Sequence, residues 1–489
     1  MQENKQRNLQ RQMVKGAFWS YGETVFNQAV SLIVSILLAR MLEPETFGVL
    51  AIVMVFINLC NTLSITGFGN ALIQKSFPEE KDYSTVLLFS LFLSVVMCVV
   101  LWLGAPAVAH FYKNEQLIWV LRIMSFRIPI SAINSIQNAY VQKKMDFHKL
   151  FIATFGGTTI SAVIGIVMAY KGFGVWALVA QYMSASCITT FMMFYITKWK
   201  PSLYFSLKRL KPLYSYGWKI MLAGLATSLT NELRTLIVGK KFTTADLAYY
   251  ERGQRYPQMI ASNLAIALAK VSFPAFSNVN RDSDQMKQII RKSNQICIYV
   301  LVPLMVGLAL IAKSLIILLM TEKWAEAVPY IQIFSVYYLL YAMASTSWQV
   351  LKATGRSKEY MFLSVIESII EISLLCIAVF IFKSVKLIAI GAVISMLTYV
   401  LYGMYAMKKF ARYSLREQLK DCLTPCAYAF LMALVVILIE IGSKFSVFVT
   451  MVIQVIAGMI IYFGVSWLVR DRTLMALVRF LQDIFSKKG

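Results

Sequence analysis

The chain has 489 residues, 58% of them hydrophobic, and a formal net charge of +24. Its mean hydropathy of +0.65, concentrated in runs of about 20 apolar residues, excludes an ordinary soluble domain and fits helices that cross a bilayer. The basic excess does not call for a nucleic-acid partner, because Lys and Arg gather on alternate loops, the pattern of cytoplasmic loops in membrane proteins.

In chain order, a polar and basic leader runs into an apolar stretch near 17–39. That stretch is too long for a cleaved signal and has no small-residue cleavage site behind it, so it reads as a retained first span. Spans follow near 47–73, 85–109, 117–141, 150–170 and 174–197, completing a six-helix set over 1–197. A basic connector, 198–212, separates this set from a second one over 213–407, with spans near 216–239, 247–273, 294–318, 327–351, 360–382 and 387–407. The loop 408–422 then leads to a closing pair near 423–442 and 446–469, within 408–470. In the tail 471–489, TLMALVRFLQDIF (473–485) places apolar residues at helical spacing, as an amphipathic helix on the inner surface does. The expected fold is all-α and integral to the membrane, with about 14 transmembrane helices; barrel strands would alternate over about ten residues instead.

Orientation follows from charge. With the N-terminus inside, the outer loops hold only Arg40, Lys113, Lys171, Lys240, Lys241, Lys323, Lys383, Lys386 and Lys444. Inner segments such as 198–212 (Lys198, Lys200, Lys208, Arg209, Lys211) and 408–420 (Lys408, Lys409, Arg412, Arg416, Lys420) are far richer. Both termini are therefore expected in the cytoplasm.

The two six-helix sets resemble each other in their loops. ARMLEPETFG (39–48) follows the first span as GKKFTTADLA (239–248) follows the seventh, and VQKKMDFHKLF (141–151) pairs with LKATGRSKEYM (351–361). An even number of helices per set makes these parallel repeats, an arrangement suited to alternating access.

Catalytic chemistry finds no foothold. The histidines, His110 and His148, both lie at loops, no Ser/Cys–His–acid grouping appears, and the outer loops are too short for a polymerase or ligase site. There is no P-loop, so ATP does not drive the chain directly. The seven cysteines form no CxxC, and neither a metal, a disulfide framework nor another cofactor is expected.

The loops carry a family likeness. LARMLEPETFGVLA (38–51), GFGNALIQK (67–75), QKKMDF (142–147), GFGVWALVAQ (172–181), YYERGQRYPQ (249–258), FPAFS (273–277), EKWAEAVPYIQI (322–333) and ATGRS (353–357) occur in this order. With them the chain resembles polysaccharide flippases of the multidrug/oligosaccharidyl-lipid/polysaccharide exporter superfamily, in their colanic-acid-type branch, from about residue 12 to 470. Ala248 stands where Gly is more usual in that family. The resemblance implies two six-helix lobes in a V, as in the multidrug members, plus a C-terminal pair. It also implies a multi-pass protein of the bacterial inner membrane that moves an oligosaccharide on a polyprenyl diphosphate from the cytoplasmic to the periplasmic leaflet. Expected partners are that lipid, the surrounding membrane lipids, and polysaccharide polymerase and assembly proteins. The alternatives are a cation or drug antiporter of the same superfamily and, from another class, the membrane polymerase or ligase disfavoured above.

Ionisable groups inside spans are costly and need an explanation. Arg127, Arg234, Arg252 and Arg255 are the candidates for a cationic substrate cavity, Arg127, Arg234 and Arg255 lying deepest. Arginine suits a diphosphate because its planar fork donates two hydrogen bonds and keeps its proton. Arg127 lies two residues before Pro129, where the helix backbone is expected to open. The plainer reading of Glu251 and Arg255 is an i,i+4 ion pair. Glu367 and Glu371 share a helix face one turn apart, and two carboxylates in low dielectric do not both ionise cheaply. They are the candidates for proton or sodium coupling, with Glu23 a third, against the plainer reading that each pairs with a neighbouring base. Tyr249, Tyr250, Tyr256 and YYLLY (337–341) are weighed as sugar-stacking surfaces against ordinary aromatic placement.

Overall fold

A computed structural model of the chain describes residues 2–65, 68–75, 77–278, 284–353 and 357–476. Every expected span is met by helix. Twelve stretches among the described residues are long and apolar enough to cross a membrane. The other two expected spans are helices of 35 residues each that carry charges: Leu207–Lys241 with Glu232 and Arg234, and Thr244–Asn278 with Glu251, Arg252 and Arg255. The chain forms two compact units, Met1–Ala248 and Tyr249–Gly489.

The first unit contains α1 (Gln2–Met41), α2 (Pro44–Ile65), α3 (Phe68–Gln74), α4 (Glu80–Tyr112), α5 (Gln116–Ser125), α6 (Arg127–Lys143), α7 (Phe147–Tyr170), α8 (Val175–Thr197), α9 (Leu207–Lys241) and the start of α10 (Thr244–Asn278). One expected span is divided: near 117–141 the helices are α5 and α6. Near 47–73 α2 and α3 flank residues 66–67, which lie outside the described residues. The break between α5 and α6 has a direct cause. Pro129 would clash with the carbonyl four residues earlier, that of Ser125, and α5 ends there; in the first turn of α6 its missing N–H leaves no bond unmade. The connector 198–212 is coil only to Ser206, after which α9 begins.

The loop resemblance between the halves has a structural counterpart. The reversals at Leu42–Glu43 and Phe242–Thr243 are equally short, and each opens on an N–H to a carbonyl four residues back: Leu42 to Leu38 at 2.8 Å and Phe242 to Val238 at 2.9 Å. The two turns touch through Gly48. A Cβ there would stand 1.9 Å from the Thr244 carbonyl oxygen, so only glycine admits the contact. Small residues also set the α7–α8 pair, where a Cβ on Gly157 would fall 2.0 Å from Thr189 Oγ1. The second pair of matching loops involves residues 354–356, which lie outside the described residues.

The second unit continues α10 and adds α11 (Asp284–Met320), a 3₁₀ turn (Glu322–Ala327), α12 (Val328–Ala353), α13 (Ser357–Phe380), α14 (Val385–Ala411), α15 (Leu415–Gly442) and α16 (Val447–Leu468). α11 packs against α12, α15 and α16, and α14 against α12 and α13. The closing pair is tied to α11 by Tyr299, which donates to Ser466 Oγ at 2.7 Å, and by Tyr462, which donates to the Tyr299 carbonyl at 2.8 Å. Most of the stretch 473–485 lies outside the described residues.

Two of the recognisable loop strings are packing partners. Tyr249 of YYERGQRYPQ donates to the Lys323 carbonyl at 3.1 Å, Arg252 lies 5.6 Å from the buried Trp324 ring, and Gly253 lets α10 approach Tyr330. EKWAEAVPYIQI supplies all three partners, so these strings build one seam of the second unit.

Each unit also has a polar clasp at helix ends expected on the cytoplasmic side. In the first, the fully buried Asp82 accepts from Lys75 at 2.7 Å, from Arg209 at 3.1 Å and from the Glu79 N–H at 2.8 Å. In the second, Asp421 takes a two-pronged contact from Arg291 at 2.6 and 2.8 Å, with Gln295 at 2.9 Å and Tyr413 at 2.7 Å.

Candidate functional site

The break at Phe126 starts α6 at Arg127 and turns one face of that helix toward α8 and α3. Arg127, Ser131, Asn134, Ser135, Asn138, Ala139 and Gln142 repeat at three- and four-residue spacing, so they form a single stripe. From Arg127 to Gln142 the stripe is about 22 Å long at 1.5 Å per residue. Gly69 and Ile73 of α3 and Ala185, Ser186 and Thr189 of α8 complete a cavity of about 480 Å³. Lys143 fastens α3 to the far end of α6, donating to the carbonyls of Ile73 at 2.7 Å and Lys75 at 2.6 Å.

Among the described residues, Arg127 is the one charged group in this lining. Its Nε donates to Ser186 Oγ at 3.0 Å, Nη1 points to Met54 Sδ at 3.6 Å, and the guanidinium lies 5.4 Å from the Tyr182 ring. Among the described residues no carboxylate pairs with it. A largely desolvated cation held by a hydroxyl, a thioether and an aromatic face keeps fork donors for an anion from outside the protein.

The rest of the described lining is neutral: Gly69, Ile73, Ala139 and Ala185 are apolar, and the other side chains are hydrogen-bonding groups. Asn138 Nδ2 donates to Asn134 Oδ1 at 3.0 Å, and Asn134 Nδ2 approaches Thr190 Oγ1 at 3.5 Å. Asn138 Oδ1 is buried with no partner. The sequence reading singled out Arg127 but missed this stripe. The signal was present as polar residues at helical spacing through RIPISAINSIQNAYVQK, inside a stretch otherwise apolar enough to span.

The other candidates lie elsewhere. Arg234, on α9 in the first unit, is half-buried and does not line the cavity; near it Glu232 accepts from Asn58 at 3.1 Å. Arg252 and Arg255 belong to the second unit, the first buried beside Trp324 and the second exposed. Glu23 on α1 accepts from Asn27 at 3.1 Å, and Asn27 in turn accepts from Thr158 of α7 at 2.9 Å. Glu367 and Glu371 are half-buried on α13, and the Glu367 carbonyl accepts from Ser395 of α14 at 3.3 Å. Tyr250 is packed against Tyr330 and Phe334, and the hydroxyl of buried Tyr256 meets Met320 Sδ at 3.0 Å, so both are core aromatics. Tyr337, Tyr338 and Tyr341 continue edge to face toward Trp348.

The sequence model of a family described as polysaccharide biosynthesis protein matches residues 37–329. Among curated relatives, the succinoglycan biosynthesis transport protein ExoT of Rhizobium meliloti is 23% identical over 333 residues, 68% of this chain and 67% of the relative. The lipopolysaccharide biosynthesis protein WzxC of Escherichia coli is 22% identical over 351 residues, 71% of each chain. Among solved structures, the lipid II flippase MurJ in an inward closed conformation superposes with a TM-score of 0.76 at 17% identity, covering 93% of this chain and 99% of that one. An inward-facing MATE multidrug transporter superposes at 0.61 with 15% identity over 79% and 96%. At these identities the two likenesses establish the fold: MurJ- and MATE-like, helical and multi-pass.

Proposed function

The chain belongs to this polysaccharide biosynthesis protein family, and on that premise we propose that it is a flippase for a polyprenyl-diphosphate-linked oligosaccharide, carrying the headgroup from the cytoplasmic to the periplasmic leaflet of a bacterial inner membrane. It is a multi-pass membrane transporter rather than an enzyme. The observation that carries the reading is Arg127: a cation within a span, without a carboxylate partner among the described residues, at one end of a polar cavity of about 480 Å³. Placing an isolated charge there is costly unless a ligand of opposite sign compensates it. The same observation disfavours a cation or drug antiporter, whose cargo this guanidinium would repel.

Arg234, Arg252 and Arg255 are proposed to meet the anionic headgroup at other points of its path. The moving bodies are read as the six-helix lobes 1–197 and 213–407, joined by 198–212 and followed by 408–470 and the tail 471–489, working by alternating access. Polysaccharide polymerase and assembly proteins are the proposed neighbours.

The test is reconstitution of the whole chain in liposomes with a fluorescent farnesyl-diphosphate-linked sugar, scoring the fraction of probe shielded from a membrane-impermeant quencher over time. The parent should scramble or transport the probe, and Arg127→Gln should slow it about tenfold or more, the loss expected for a charge-assisted contact. Equal rates in parent and variant would remove Arg127 from the path. In the same vesicles an imposed proton or sodium gradient should accelerate the parent, and Glu367→Gln/Glu371→Gln should abolish that response while leaving gradient-free binding intact. A double variant that responds as the parent does assigns those carboxylates a structural role.

A further inference from the structure

The cavity is chemically divided, and the division says more than the presence of one cation. Its charged end is Arg127. Two turns along α6, about 10 Å at 1.5 Å per residue, the wall changes to carboxamides and hydroxyls: Asn134, Ser135 and Asn138. Among the described residues no acid and no second base lines this part.

The carboxamides form a short relay with a loose end. Asn138 donates to Asn134, and Asn134 reaches toward Thr190. The relay uses the donors and leaves Asn138 Oδ1 buried with no partner. A buried acceptor without a donor is unfavourable, and rotation of the Asn138 carboxamide would turn it to a donor presented in the cavity. Ser135 Oγ adds a group that both donates and accepts; it lies close to Gly69, where a Cβ would stand 3.2 Å from it. A ligand that matches must present hydroxyl donors and acceptors at roughly two helical turns from an anionic group. A saccharide joined to a phosphate has that pattern. A prenyl chain does not, and an inorganic anion occupies only the Arg127 end.

We propose that Asn134, Ser135 and Asn138 form a saccharide-reading subsite, selecting by sugar hydroxyls a headgroup whose anionic part Arg127 holds. This rests on the reading of the cavity as the substrate site and goes further by separating what binds the carrier phosphate from what distinguishes sugars. A neutral hydrogen-bonding wall discriminates well, because an analogue lacking the matching hydroxyl leaves buried polar groups unpaired.

The test uses the full chain in nanodiscs and two probes, farnesyl diphosphate and farnesyl diphosphate carrying one glucose, with affinities taken from titration of intrinsic fluorescence. In the parent the sugar should tighten binding about tenfold or more. Asn134→Leu/Asn138→Leu should lose that increment and bind farnesyl diphosphate within about twofold of the parent. Asn138→Ser, smaller but still hydrogen-bonding, should retain part of the increment and guards against a folding defect in the double variant. Arg127→Gln should weaken both probes together. A parent that binds the two probes equally overturns the subsite, as does a double variant that keeps the sugar increment or weakens both probes alike. If the parent binds neither probe, or Arg127→Gln changes neither affinity, the underlying substrate-site reading fails as well.

Discussion

Arg127 and Gly48 show how single residues act here in opposite senses. Arg127 occupies a place that costs stability, and the proposed reason for it is the anion it would hold. Replacement by a neutral side chain should therefore leave the fold at least as stable while slowing transport, a combination that a structural ion pair would not give. Thermal unfolding of Arg127→Gln beside the parent checks this: an unchanged or higher midpoint is expected, and a large drop would make the residue structural. Gly48 is the converse, a residue defined by what it lacks. Its position faces the Thr244 carbonyl so closely that Gly48→Ala must push α2 and α10 apart, with an expected cost of about 1–3 kcal/mol. Gly104→Ala is the control. Among the described residues nothing beyond its own stretch of helix lies within 4 Å of a Cβ there, and alanine in a helix interior is favoured by about 0.5–1 kcal/mol. Thermal midpoints in detergent should fall for the first and hold or rise for the second.

At the scale of elements, α6 is the informative helix. Its start is set by Pro129 and its stripe by residue spacing, both sequence-local causes, while its far end is held by Lys143 against α3, a contact between segments far apart in the chain. The clasps are of that second kind, since each joins helices distant in sequence. Asp82 binds Lys75 and Arg209, and Asp421 binds Arg291, Gln295 and Tyr413. Asp82 is wholly buried while its bases are partly exposed, and its carboxylate holds the Arg209 guanidinium above its ordinary pKa. Asp82→Asn and Asp421→Asn each remove a charge that several donors converge on, and each should lower stability by about 1.5–3 kcal/mol. The effect should survive moderate salt, because buried partners are weakly screened. A loss under about 0.5 kcal/mol, or one abolished by salt, would reduce the clasps to surface pairs.

For the whole molecule, topology is the property that charge alone addresses. With the basic loops inside, Ser202 belongs to a cytoplasmic connector and Ser446 to an outer loop, and both residues are exposed. Membrane-impermeant maleimide applied to intact cells should label Ser446→Cys above the parent background and leave Ser202→Cys at that background. The reverse pattern would invert the orientation and, with it, the proposed direction of transport.

The all-helical multi-pass class, approximate span positions, the family and the pairing of loops 39–48 and 239–248 were all legible in the chain, because hydropathy, loop charge and turn residues act over a few neighbours and the bilayer removes most other options. Arg127 was legible as costly, and Pro129 as a break beside it. The tertiary structure decided what lay beyond that local range. It separated Arg127 and Arg234 from Arg252 and Arg255 by unit, and it turned Tyr250 and Tyr256 into core residues. It also faced the polar stripe of α6 toward α8 and α3 rather than toward lipid. Spacing shows that a helix has a polar face; which neighbour that face meets is set by packing between segments far apart in the chain, and no local pattern encodes it.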